Sequence, residues 1–75
     1  MKLEPIASPL DLGRLVKRRR QQLGLTQADL ALASGTGVRF ISDLENGKAT
    51  CQSGRSLQVL AALGLRLSIH LPDSP

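Results

Sequence analysis

The chain has 75 residues, with ten Lys or Arg against six Asp or Glu and a formal charge of +4, which makes one small basic domain near the lower limit for a self-supporting core. Cys51 is the only cysteine and His70 the only histidine, so neither an internal disulfide nor a structural zinc site can be closed, and a second subunit is the remaining way to enlarge the core. The single aromatic residue, Phe40, argues against a stacking platform for single-stranded nucleic acid, while the basic balance favours a polyanionic partner.

Met1 to Ala7 reads as a flexible arm, kept from helix by Pro5 and Pro9. It holds no long apolar run, so neither a signal peptide nor a membrane span is expected, and the expected location is the cytoplasm. Ser8-Pro9-Leu10-Asp11 is a helix start, with Ser8 at the N-cap, Pro9 at the first position and Asp11 at the third. That helix runs to about Leu23, where Gly24 stops it. Leu12, Val16 and Leu23, with Arg19 or Arg20, share one face, and Leu15 flanks it.

Thr26 caps a second helix, with Asp29 placed to close a capping box. Leu30, Ala31, Ala33 and Ser34 keep this helix small where it must cross its neighbour, and Gly35 ends it. Thr36-Gly37 is the turn. A third helix spans Val38 to Glu45, capped by Gly37 and closed by Asn46-Gly47, with Ile41 and Leu44 inward. Two short helices across a tight glycine-containing turn form the layout that places one helix in the DNA major groove.

A polar loop from Lys48 to Ser53 leads to a fourth helix, about Gly54 to Leu63, with Leu57, Leu60 and Leu63 on one face and Val59 beside them. Gly64 ends it. Leu65 to Leu71 then alternates apolar and polar residues, the period of a strand. A lone strand has no partner within the chain. It would pair antiparallel with the same strand of a second copy about a two-fold axis, with Leu67, Ile69 and Leu71 covering the helices. Residues 72–75 read as a disordered tail. The expected organisation is an arm (1–7), a helix-turn-helix domain (8–64), a dimerisation strand (65–71) and the tail.

On the third helix, Val38, Arg39, Ser42 and Asp43 are the expected outward face. Arg39 suits a bidentate contact to guanine, Val38 a thymine methyl, and Ser42 a base or a phosphate. Asp43 could accept from the cytosine amine or pair with Arg39 four residues back. Lys17-Arg18-Arg19-Arg20 cannot share one helical face, so Arg14, Lys17 and Arg18 are left for general attraction to the DNA backbone and Arg20 points inward.

Leu12-Gly13, Arg20, Leu25-Thr26-Gln27, Leu30-Ala31, Gly35, Ile41, Leu44-Glu45-Asn46-Gly47-Lys48 and Ala62-Leu63-Gly64 occur in this order. Through them, Leu12 to Leu65 resembles the phage repressor/Cro-type (XRE-like) family. The resemblance implies a mainly α, four- to five-helix repressor-type domain, here followed by the C-terminal strand of a homodimer. It implies phosphate contacts by Gln27, at a helix N-terminus where anions are favoured, and by Asn46 and Lys48. It also implies a partly buried ion pair between Arg20 and Glu45. The run ALGLRLSIHL, Ala62 to Leu71, and the phrase Arg39 to Lys48 are similar to HipB-like antitoxins. That subgroup implies an operator upstream of the protein's own genes and a HipA-like serine/threonine kinase toxin as partner, for which outward Leu32 is a pointer; a dimer in turn predicts that the double-stranded operator is palindromic. A stand-alone phage-type or metabolic repressor, and a protein-binding adaptor without DNA binding, are the alternatives.

An enzyme is not expected. Cys51 and His70 lie on different elements, no glycine-rich phosphate loop follows a strand, and Asp11, Asp29, Asp43 and Glu45 are accounted for by caps, a helix surface and the ion pair. No metal or cofactor is implied.

Overall fold

The computed structural model describes residues 4–48 and 53–68. Four helices occur among them: α1 (Pro9–Gln22), α2 (Gln27–Ser34), α3 (Val38–Glu45) and α4 (Ser53–Ala62). Each start and stop has a local cause. The Asp11 backbone N–H donates to Ser8 Oγ at 3.2 Å, and the Ala7 N–H donates to the Asp11 carboxylate at 3.0 Å, fixing the first turn of α1. At α2 the capping box is complete: Asp29 N–H to Thr26 Oγ1 at 3.0 Å and Thr26 N–H to Asp29 Oδ2 at 2.9 Å. Gly35 ends α2 in the left-handed region, and Gly37 starts α3 without a side-chain cap.

All four helices contribute to one core. Val16 comes from α1, Leu30 and Ala31 from α2, Ile41 and Leu44 from α3, and Val59 and Leu60 from α4, with Leu63 just beyond α4. Leu12, Leu25, Phe40, Ala62 and Leu65 pack around them. Ser34 is also buried, and its hydroxyl donates to the Leu30 carbonyl at 2.7 Å, so no polar group is stranded there.

The first turns of α1 rest on the C-terminal end of α3, and two glycines permit it. A Cβ on Gly13 would stand 2.3 Å from the Leu44 carbonyl oxygen and 2.7 Å from that of Glu45. Gly47, with φ +75°, ends α3, and a Cβ there would stand 2.7 Å from Leu10 Cα. Backbone therefore meets backbone, with no side chain between them.

Two expected core positions lie further out. Leu23 follows the last residue of α1 and is exposed, and Leu57 is 52% exposed. The buried stripe of α4 runs through Ser56, Val59, Leu60 and Leu63, which leaves Leu57 at its edge. There Leu57 joins Ile6, Pro9, Leu12, Leu44, Leu60 and Leu67 around an apolar groove of about 550 Å³. The arm's Glu4 pairs with Arg18, and Ile6 lines this groove.

No strand occurs among the described residues. Leu65 to Ser68 of the expected strand have no regular structure. Ile69 and Leu71, like Cys51, His70 and residues 72–75, lie outside the described residues.

Candidate DNA-binding surface

The two sides of α3 have opposite characters. Ile41, Leu44 and Glu45 are buried, while Val38 and Arg39 are exposed and Ser42 and Asp43 are half-buried. Helical spacing alone produces this division, since 41, 44 and 45 recur on one stripe and 38, 39, 42 and 43 on the other. Arg39 makes no hydrogen bond or ion pair among the described residues, so its five donors are free for a ligand.

The outward residues at the other end of α3 are committed to one another. Asn46 Nδ2 donates to the Ser42 carbonyl at 2.9 Å, and Lys48 Nζ stands 3.1 Å from Asp43 Oδ1. Of the two roles open to Asp43, the i,i+4 pair with Arg39 does not form; the carboxylate pairs with Lys48 instead.

Glu45 is the hub beneath this surface. Arg20 Nε donates to its Oε2 at 2.7 Å and Arg20 Nη2 to its Oε1 at 3.1 Å, a bidentate geometry. The side chains of the pair are 11% and 3% exposed. Arg20 Nη1 also donates to the Leu25 carbonyl at 2.8 Å. The hydrogen bonding to Glu45, opposed by burial and aided by the carboxylate's charge, raises the guanidinium's pKa further, so Arg20 stays charged at any working pH.

The structure adds a fourth member. Gln27 Nε2 donates to Glu45 Oε1 at 3.1 Å. The first residue of α2, the last residue of α3 and the last turn of α1 are thus joined through one carboxylate, and Arg20 ties in the loop before α2. Sequence spacing gives no sign of the Gln27 bond, because its partners are 18 residues apart. One amide hydrogen of Gln27 is used here, and the second remains available beside the free N–H groups of the α2 start.

The basic run fans out as helical geometry requires. Arg14 and Lys17 are exposed, Arg18 pairs with Glu4, Arg19 Nε donates to the Leu63 carbonyl at 3.1 Å, and Arg20 turns in to Glu45. No group of three His, Cys, Asp or Glu residues suited to a metal occurs among the described residues. No helix there is long and apolar enough to cross a membrane.

A family model described as helix-turn-helix matches residues 16–69. The chain belongs to the helix-turn-helix family. It is 48% identical over 67 residues to the uncharacterized HTH-type transcriptional regulator y4mF of Sinorhizobium fredii (strain NBRC 101917 / NGR234), covering 89% of this chain and 88% of that protein. It is 34% identical over 59 residues to the endothelial differentiation-related factor 1 homolog of Gallus gallus, covering 79% of this chain but only 40% of that longer protein. Among solved structures, a HipB–O4 20mer complex and a HipA–HipB–O2–O3 complex each contain a chain of TM-score 0.79 and 33% identity, covering 97% of this chain and 100% of that one. A HipB–O1–O2 complex matches with TM-score 0.83 and 31% identity over 91% of this chain and 99% of that one. The repressor-type resemblance and its HipB-like character are therefore borne out. The chain is a helix-turn-helix transcriptional regulator whose structural neighbours are HipB antitoxins.

Proposed function

We propose that the chain is a dimeric, sequence-specific repressor and the antitoxin of a HipBA-like module, binding its own operator and holding a HipA-like kinase toxin inactive. The observation that carries the DNA-reading part is the uncommitted Arg39 on the outward face of α3, a helix whose inner end is fixed by the buried Arg20–Glu45 pair. Val38, Arg39, Ser42 and Asp43 read bases, while Gln27, Asn46 and Lys48 hold phosphates and set the register. The spare amide hydrogen of Gln27, beside the start of α2, supports its part.

Dimerisation is supported by the apolar groove, which leaves Leu57 and Leu67 about half exposed in the single chain. Leu67, Ile69 and Leu71 pair across the two-fold axis as an antiparallel ribbon, so the operator is palindromic, with half-sites about one helical turn or a multiple apart. The toxin part is supported by the solved assembly in which a similar HipB chain sits with HipA. A stand-alone repressor is the second reading, favoured by the plain transcriptional-regulator description of the 48% identical relative.

Binding to operator duplex is measured across salt. Affinity falls steeply as salt rises if phosphates lead the contact. Arg39→Ala and Gln27→Ala each weaken it, and unchanged binding by both variants refutes the assigned roles. On size exclusion, Ile69→Lys runs as a monomer; a variant that stays dimeric and stable refutes the ribbon. Co-purification with the kinase-like product of a neighbouring gene separates the antitoxin from the stand-alone repressor.

A further inference from the structure

Arg39 and Asp43 stand one turn apart on the outward side of α3, the spacing at which an arginine and an aspartate ordinarily pair. They do not. Lys48 Nζ lies 3.1 Å from Asp43 Oδ1, and the Lys48 backbone N–H donates to the Asp43 carbonyl at 3.1 Å, so the lysine holds its partner at both ends. Two free groups result: the whole Arg39 guanidinium, and Asp43 Oδ2, which has no partner among the described residues.

A bare carboxylate at a DNA surface is repelled by phosphates. With Lys48 beside it, the local charge is offset and an acceptor remains. In the major groove, guanine and thymine present acceptors, and adenine sets an acceptor next to its amine. Cytosine presents the amine alone, so it is the base that a carboxylate selects. Four residues of helix rise by about 6 Å, and stacked bases by about 3.4 Å. The two side chains therefore address positions no more than about two base pairs apart.

We propose that Asp43, positioned by Lys48, selects a cytosine within about two base pairs of the guanine read by Arg39 in each half-site. The inference rests on α3 being the reading helix.

The test is selection from a randomised duplex pool by the full chain and its Arg39→Ala, Asp43→Asn, Asp43→Ala and Lys48→Ala variants. The parent enriches half-sites with a fixed guanine and a fixed cytosine at that spacing. Asp43→Asn keeps the guanine and exchanges cytosine for adenine, which asparagine contacts through N6 and N7. Asp43→Ala keeps the guanine and lowers the cytosine preference about tenfold or more. Lys48→Ala weakens binding to all sequences and also erodes the cytosine preference, which loss of a phosphate contact alone would not do. A parent site without the cytosine, or an undiminished cytosine preference in Asp43→Ala, overturns the proposal. If Arg39→Ala selects the parent's sites unchanged, α3 is not the reading helix and the underlying assignment falls with it.

Discussion

The two ends of α3 are built on different principles. Its C-terminal end is held by Glu45, bonded to Arg20 and Gln27, and by the backbone of α1 resting at Gly13 and Gly47. Its N-terminal end has no side-chain cap, and Val38 and Arg39 stand in solvent. A helix of eight residues is too short to be stable alone. Anchoring one end rigidly is what allows the other to be left free, and the free end is where a ligand can be read without disturbing the fold.

That contrast can be broken at the anchored end with the largest effect. Glu45→Ala leaves the Arg20 charge buried with only the Leu25 carbonyl and strips Gln27 of its acceptor; the expected loss is about 3–5 kcal/mol, a melting temperature lowered by ~15 °C or more. Gly13→Ala drives a methyl group into the α3 backbone, and an overpacking loss of about 1–3 kcal/mol is expected in a denaturant titration.

Away from α3, Thr26→Ala removes the α2 cap and costs about 1 kcal/mol in the same titration. The Thr26 backbone N–H, and then its hydroxyl, hold the Asp29 carboxyl below the usual carboxylate range. Because the folded value is the lower one, the Asp29 contribution is complete above the ordinary aspartate pKa of about 3.9 and is lost as pH falls from there through the folded value. Asp29→Asn flattens that part of the acid limb of the stability curve.

The smallest effect on folding comes at the free end. Arg39→Ala shifts stability by no more than about 0.5 kcal/mol, yet lowers operator affinity on the order of tenfold to a hundredfold. An Arg39→Ala protein that melts early would show that the reading end is part of the scaffold after all.

Local chemistry was legible in the sequence. Ser8, Thr26 with Asp29, Gly35 and Asn46-Gly47 mark helix ends within a residue or so of where they fall, because caps act through bonds three or four residues long. The Arg20–Glu45 pair follows only from family resemblance, and in the structure it is bidentate. Gly13 could be matched but not understood, since its role depends on a backbone 31 and 32 residues away. The Gln27 bond to Glu45 and the pairing of Asp43 with Lys48 rather than Arg39 were not legible either: each depends on which side chains the fold brings within reach. Leu57 shows the limit of periodicity, which locates an apolar face but not its edge.

Arg19 and Arg20 are neighbours in α1, yet they brace different parts of the molecule. Arg20 grips the inner end of α3, and Arg19 holds the Leu63 carbonyl, where the chain leaves α4 toward its C-terminal segment. One helix therefore gauges the distance between α3 and the point of exit. In the proposed dimer, a second copy joined beyond Leu65 would inherit that gauge, and the spacing between the two α3 helices would depend on consecutive arginines as well as on the linker between them.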